Sequence, residues 1–232
     1  QVCSSLQAVE QYHEKIMRDR MKLSYWTDGI VVNIDPLAVY TELGVVGKAP
    51  RGAVAYKFPA EQATTVVEDI QVQVGRTGAL TPVAHLQPVH VAGTTVSRAT
   101  LHNDDEIKRL DVRIGDTVII QKAGDIIPDI VQVLPKLRPK QSKPYSFPKT
   151  CPACGSSVER REGEVAYYCS NQNCFAQERE RFYHFVSKTG FDIRGLGPKI
   201  IDQLIDAGLL HEYADLFELT VGDLEPLKRF AG

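Results

Sequence analysis

The chain has 232 residues, of which 43% are hydrophobic and 24% are charged, with a formal net charge of −2. No apolar run approaches the length of a membrane span, and no signal peptide is visible. The slight negative charge argues against a purely electrostatic nucleic-acid binder. Because the first residue is Gln1 rather than Met, we expect a piece of a longer protein.

The first segment, residues 1–62, mixes helix and strand. A helix capped by Ser4 or Ser5 is predicted from one apolar face, which consists of Leu6, Val9, His13 and Ile16. Strands are predicted at 29–34 and 53–58, with a short helix at 36–43 that ends at Gly44.

Two charged residues stand at the ends of these predicted strands. Asp28 precedes the first strand and Lys57 lies near the end of the second. A carboxylate and a lysine at adjacent strand ends can flank a nucleotide phosphate and its metal. Taken alone, however, they are only surface charges on a sheet.

The second segment, residues 63–140, is rich in short predicted strands. Glycine and proline separate them, and one small helix is predicted at 103–110. This composition suits a small OB-type barrel. The strands are predicted at 66–74, 82–86, 89–91, 94–97 and 112–121, followed by a linker at 135–148.

The third segment, residues 141–176, holds four closely spaced cysteines: Cys151, Cys154, Cys169 and Cys174. The spacing C-x2-C, fourteen residues, C-x4-C predicts a tetrahedral zinc site. Two disulfides are the alternative, and Cys3 is expected to be an ordinary thiol. We expect the finger to have its own source of stability, so that Cys151→Ser unfolds 149–176 more than the barrel.

A basic strip overlaps this segment. It is either a solvated linker or a surface that faces phosphate, and it consists of Lys136, Arg138, Lys140, Lys143, Lys149, Arg160 and Arg161.

The last segment, residues 177–232, is predicted to be helical, with helices at 178–187, 200–207, 215–219 and 223–230. Gly195 and Gly197 flank a leucine just before Pro198, which suits the first turn of a helix. Such a helix-hairpin-helix signature binds a DNA phosphate through backbone N–H groups without reading sequence. A plain helix–helix turn is the alternative.

Six motifs, in order, resemble the bacterial NAD-dependent DNA ligases. They are DGIVV at 28–32, AYKFP at 55–59, VGRTGALTPVA at 74–84, VHVAG at 89–93, ATLHN at 99–103 and KAGDIIP at 122–128. The four cysteines and the Gly195 hairpin follow where that family has its zinc finger and helix-hairpin-helix domain. The resemblance implies a multidomain α+β protein: the end of an adenylation domain, an OB barrel, a four-cysteine zinc finger and a truncated helix-hairpin-helix segment.

The resemblance also implies a mechanism and a set of roles. A lysine takes AMP from NAD, the AMP passes to the 5′-phosphate of a nick, and the 3′-hydroxyl displaces it with magnesium or manganese present. Lys57 would contact the AMP phosphate, Asp28 would serve the nucleotide or metal, and Arg76 would contact DNA beside the nick. Gly195 and Gly197 would contact DNA phosphate. We expect a monomer that acts on nicked duplex DNA in the bacterial cytoplasm, associated with the nucleoid.

Three departures from the family pattern qualify this interpretation. Asn33 stands where the family usually has lysine, and Gly52 stands where it usually has tryptophan. The sequence contains no Lys-x-Asp-Gly, so the nucleophile is expected to lie outside the chain, together with the region that grips the nicotinamide half of NAD. The alternatives are a non-catalytic DNA-binding module with OB, zinc and hairpin parts, and, less favoured, an RNA-binding zinc protein.

Overall fold

A computed structural model describes residues 1–25, 27–122 and 128–227 of the chain. The predicted first helix is confirmed as α1, Leu6–Asp19, and Ser5 is its N-cap. The Ser5 hydroxyl accepts a hydrogen bond from the backbone N–H of Ala8, which satisfies one of the unpaired donors of the first turn. His13 is the buried residue of this helix.

The two predicted strands of the first segment form an antiparallel pair, and the short helix between them ends at Gly44 as predicted. Gly44 has a φ of 66°, a conformation that favours glycine at a helix end. A small hairpin of two further strands was not predicted. The elements are β1 (Gly29–Asn33), α2 (Leu37–Leu43), β2 (Val45–Val46), β3 (Ala49–Pro50) and β4 (Ala53–Lys57).

Five strands with one helix between the third and fourth have the element order of an OB fold, as predicted. Hydrogen bonds connect them in the order β6-β5-β8-β9-β7, and β7 also pairs with β6, which closes the barrel. The elements are β5 (Glu61–Val74), β6 (Ala79–Val91), β7 (Thr94–Thr100), α3 (Asp104–Leu110), β8 (Thr117–Lys122) and β9 (Asp129–Val133).

The predictions for β6 and β8 were wrong in part. β6 is one strand, Ala79–Val91, instead of the two strands predicted at 82–86 and 89–91. It includes Pro82, because proline loses only its own N–H and its carbonyl still accepts from Leu101. β8 begins later than predicted because Gly115, with a φ of 89°, and the bond from the Asp116 N–H to the Arg113 carbonyl form a turn first. β9 was not predicted.

Contacts divide the chain into two compact units. The first comprises Gln1–Val66, Leu86–Ala99 and Thr117–Leu137, and the second comprises Val67–His85, Thr100–Asp116 and Arg138–Gly232. Each unit takes a part of the long strands β5 and β6. In the first unit, β8 pairs with residues 61–66 of β5 and with β9.

The second unit also contains the cysteine segment and the C-terminal helices. Helix α4 begins earlier than predicted because Cys174 is its N-cap. A core of Phe182, Val186, Ile201, Leu204 and Leu210 joins the two longer helices. The elements are β10 (Val158–Arg160), β11 (Tyr167–Cys169), α4 (Phe175–Val186), α5 (Pro198–Asp206), a 3-10 helix (Tyr213–Phe217) and α6 (Val221–Leu224).

Some predictions fall on residues that the structure does not describe. Most of the KAGDIIP motif, residues 123–127, lies outside the described part, as does the end of the helix predicted at 223–230. Among the described helices, none is long and apolar enough to cross a membrane.

Candidate metal centre and nucleotide site

The four predicted cysteines lie together. Their sulfur atoms are all within 4.8 Å of one another, and three of the four side chains are buried. Cys151 and Cys154 belong to a tight turn closed by the N–H of Gly155, which donates to the Cys151 carbonyl at 2.9 Å. Cys169 ends β11 and Cys174 caps α4, so two short elements present the second pair of ligands.

This arrangement fits a zinc ion. Four thiolates about 2.3 Å from a tetrahedral zinc have sulfur atoms about 3.8 Å apart. The Sγ atoms of Cys151 and Cys174 are 4.0 Å apart, and those of Cys154 and Cys169 are 3.5 Å apart. All four are free thiols, which contradicts the alternative of two disulfides. Hydrogen bonds from Ser156 lower the pKa of Cys154 to about 6, whereas burial raises the pKa of Cys169 to about 12 and also raises that of Cys174. Cys154 is therefore the ligand that most readily supplies a thiolate, and the two buried cysteines need the charge of a bound metal to lose their protons.

The cysteine segment shares a sheet and a core with the β5–β6 hairpin. Strand β11 pairs antiparallel with the start of β6, where Tyr168 faces Ala79 and Tyr167 faces Leu80. The Leu80 side chain is 2% exposed and belongs to the same core as Cys151, Cys169 and Cys174. The finger therefore shares a core with this hairpin, and the expectation that Cys151→Ser unfolds 149–176 more than the barrel stays a prediction.

Asp28 and Lys57 are brought together by the β1–β4 pair. Lys57 Nζ donates to Asp28 Oδ2 at 3.0 Å, and both side chains are about half exposed. The Lys57 hydrogen bond is the main cause that lowers the pKa of Asp28. Position 29, which is in register with Lys57, requires glycine, because a Cβ there would lie 2.5 Å from the Tyr56 carbonyl oxygen.

His13 of α1 contacts the strand that carries Lys57, a role that the sequence did not predict. Its Nε2 lies 3.2 Å from the Lys57 carbonyl oxygen, and its ring stacks on Tyr56 with centroids 4.0 Å apart. The signal was available in principle, since a polar side chain stood on the apolar face of α1. The helix thereby holds the end of β4 from which Lys57 projects.

Asn33 and Gly52, the two residues of the first segment that depart from the family pattern, have different surroundings. Asn33 ends β1 and lines an open groove with a volume of about 850 Å³ between α1, β1 and α2. Gly52 is buried, and a Cβ at this position would lie 2.5 Å from Cδ2 of Tyr40. The Tyr40 ring therefore occupies the space next to Gly52, and a larger side chain at position 52 would require this ring to move.

Arg76 is exposed at the tip of the turn between β5 and β6. The turn is closed by the Gly75 N–H, which donates to the Ala79 carbonyl at 2.8 Å, and by the Gly78 N–H, which donates to the Gly75 carbonyl at 2.9 Å. A short turn with an exposed arginine at its tip can reach a phosphate without rearrangement of the strands.

The basic strip is only partly available to a ligand. Arg138 is bound to Asp111 and Asp116, and Arg160 is bound to Asp105 at 2.6 Å. The interpretation as a surface that faces phosphate is therefore wrong for Arg138, whose partner Asp116 is fully buried, whereas it stays a prediction for Arg160, whose pair with Asp105 is solvent-exposed. Three lysines of the strip in the second unit remain exposed: Lys140, Lys143 and Lys149.

The glycine hairpin joins α4 to α5. Gly195 has a φ of 85°, which favours glycine, whereas Gly197 is the N-cap of α5 in an extended conformation. The Gly197 N–H donates to the Gly195 carbonyl at 3.2 Å and the Leu196 N–H donates to the Ile193 carbonyl. Among the backbone hydrogen bonds of residues 128–227, none uses the N–H of Gly195 or Lys199, so these two donors are available to a ligand.

Three family models match successive parts of the chain. The model of the NAD-dependent DNA ligase adenylation domain matches residues 1–61. The model of the NAD-dependent DNA ligase OB-fold domain matches residues 64–142. The model of the NAD-dependent DNA ligase C4 zinc finger domain matches residues 150–176.

Proposed function

Because the chain belongs to the family of the NAD-dependent DNA ligases, we propose that it is part of an enzyme that seals nicks in duplex DNA through enzyme–AMP and DNA–AMP intermediates. The observation that carries this proposal is the Asp28–Lys57 pair, 3.0 Å apart and accessible, within the segment that matches the adenylation domain. A module that only bound DNA would not need this pair.

The pair suggests a division of roles. The Lys57 ammonium exchanges its contact with Asp28 for one with the AMP phosphate, where it offsets negative charge. The Asp28 carboxylate is then free to bind the nucleotide or a magnesium or manganese ion, since hard cations prefer carboxylate oxygens. The partial exposure of both side chains allows this exchange.

The nucleophile of the reaction is not supplied by these residues. The sequence contains no Lys-x-Asp-Gly, and the place proposed for Lys57 is beside the AMP phosphate rather than in line for attack on NAD. We propose that the chain by itself binds DNA but does not take AMP from NAD.

Three features support binding to the DNA backbone. Arg76 offers a guanidinium at the tip of the β5–β6 turn, and Gly195 and Lys199 offer backbone N–H groups at the start of α5. Gly197 contributes by leaving open space beside them, since a Cβ there would meet nothing within 4 Å. The four cysteines hold zinc, which supplies the fold of a segment too short to form a core of its own.

The test is a salt series with short, unrelated duplexes. Each lost phosphate contact lowers the slope of log affinity against log salt by about 0.9. Arg76→Ala should lower this slope by roughly one unit, equally for all duplexes. The control is Arg51→Ala, which removes the same charge from an exposed site in the adenylation segment and should leave the slope unchanged.

Gly197→Asp should weaken binding to every duplex, because it adds a negative charge and a side chain beside the two free N–H groups. A flat salt response of the unmodified chain, or a strong preference for one sequence, would refute the proposed phosphate contacts.

A further inference from the structure

The turn that carries Arg76 is not held in place by its own bonds alone. Arg76 and Thr77 are both exposed, and only two backbone hydrogen bonds close the turn. Gly78, the last residue of the turn, has a φ of 84° and is buried. The position of Arg76 therefore depends on what packs against Gly78.

One metal ligand contacts this glycine directly. The backbone N–H of Cys169 donates to the Gly78 carbonyl at 2.9 Å. The next residue pair continues the contact, since Tyr168 is in register with Ala79. The side chain of Leu80, 2% exposed, then enters the core formed by the cysteines.

A second contact comes from helix α4. Gln177 is 3% exposed, and its amide lies against Gly78 so closely that a Cβ on this glycine would be 2.9 Å from Nε2. The same Nε2 donates to the Asn171 carbonyl at 2.8 Å. Asn171 lies in the loop between Cys169 and Cys174, so Gln177 connects the metal-binding loop to the turn.

We propose that the four-cysteine centre positions Arg76, with Leu80 and Gln177 as the positioning residues, so that the β5–β6 turn binds the DNA backbone only when the metal site is loaded. The proposal rests on the proposed function, which assigns a phosphate contact to Arg76. Four thiolates on one ion fix the loop between Cys169 and Cys174. Without the ion this loop relaxes, and the contacts of Gly78 with Cys169 and Gln177 relax with it.

The structural part of the proposal is tested by hydrogen exchange of the full chain before and after zinc removal, with the metal content measured. Peptides that cover 75–80 should lose protection together with those that cover 151–174, while peptides of β8 that cover 118–121 keep theirs. Retained protection at 75–80 after loss of zinc would overturn the proposal. Loss at 118–121 as well would also overturn it, because the metal would then support the whole fold rather than this turn.

The functional part uses two glycines of the second unit that share a left-handed backbone. Gly78→Ala places a Cβ against Gln177, whereas Gly163, with a φ of 78°, has open space around it. Both substitutions impose similar backbone strain, because both glycines have a positive φ. Gly78→Ala should bind DNA as weakly as Arg76→Ala, with a salt slope lower by about one unit, while Gly163→Ala binds like the unmodified chain.

One further variant separates the possible failures. Gln177→Ala removes the packing without backbone strain and should lower affinity several-fold even if Gly78→Ala folds poorly. Unchanged binding of Gln177→Ala and Gly78→Ala, when Arg76→Ala is weakened, would refute the positioning role alone. Unchanged binding of Arg76→Ala would instead refute the assigned phosphate contact, and with it the functional part of the proposal, while hydrogen exchange still decides whether the metal holds the turn.

Discussion

The guanidinium of Arg138 binds both carboxylate oxygens of the fully buried Asp116, from Nε at 2.8 Å and from Nη2 at 2.9 Å. A third donor, Nη1, binds Asp111 Oδ2 at 2.6 Å. Asp116 also accepts the backbone N–H of Arg113. A residue that looked like part of a solvated linker thus neutralises a buried charge and anchors the start of the 138–148 segment.

Replacement of Arg138 by alanine should destabilise the chain by roughly 3 kcal/mol, because it leaves the buried Asp116 carboxylate without its charged partner. Urea unfolding measures the effect. Lys140→Ala is the matched control, since Lys140 belongs to the same strip but is exposed, and it should change stability by less than about 0.5 kcal/mol. Equal effects of the two variants would show that the pair does not stabilise the fold.

Gly52→Ala should destabilise the first unit by roughly 1–3 kcal/mol, because the new Cβ overlaps the ring of Tyr40. The same change made in a Tyr40→Ala background should cost much less, since the ring is gone. A double-mutant cycle by urea unfolding gives the coupling between the two sites. Additive effects of the two changes would mean that the Tyr40 ring does not set the requirement for glycine.

Alkaline pH should loosen the contact between α4 and α5 through Tyr183. Its hydroxyl donates to Asp202 Oδ1 at 2.5 Å, and burial followed by Asp202 raises its pKa from 10.0 to about 12. A raised pKa means that the neutral form stabilises the folded state; this contribution is complete below pH 10 and is lost as pH rises from about 10 to 12.

Thermal melting between pH 9 and 12 tests this dependence. Tyr183→Phe lacks the titrating hydroxyl, so its melting temperature should fall less steeply with pH than that of the unmodified chain. Parallel curves for the two proteins would contradict the assignment. Absorbance titration of the phenolates should also show that the variant lacks one group with a pKa near 12.

Incubation with NAD and magnesium should leave the mass of the chain unchanged. The reason is the lack of a Lys-x-Asp-Gly nucleophile in this sequence, not weak nucleotide binding. Lys57 should not substitute, because its proposed place is beside the AMP phosphate rather than in line for attack on NAD. An AMP adduct on any lysine, seen by intact-mass spectrometry and located by peptide mapping, would show that another residue of this chain acts as the nucleophile.

Sequence alone determined the features that depend on near neighbours. The cap at Ser4 or Ser5 and the glycine that ends α2 are local, because a cap bonds within three or four residues of itself. The spacing of the four cysteines predicted their cluster for the same reason, since each pair sits in one short turn. The roles of Arg76, Gly195 and Gly197 remain predictions.

Only the tertiary structure decided the contacts between distant parts of the chain. Asp116 and Arg138, Gly52 and Tyr40, and Gly78 and Gln177 are each separated by 12 residues or more in sequence, and no periodicity or spacing pairs them. The fold decides whether a charged side chain is solvated or forms an ion pair. It also decides whether another side chain packs against a glycine. For this reason the sequence predicted the cluster of four cysteines but not the packing of Leu80, from the β5–β6 hairpin, among them.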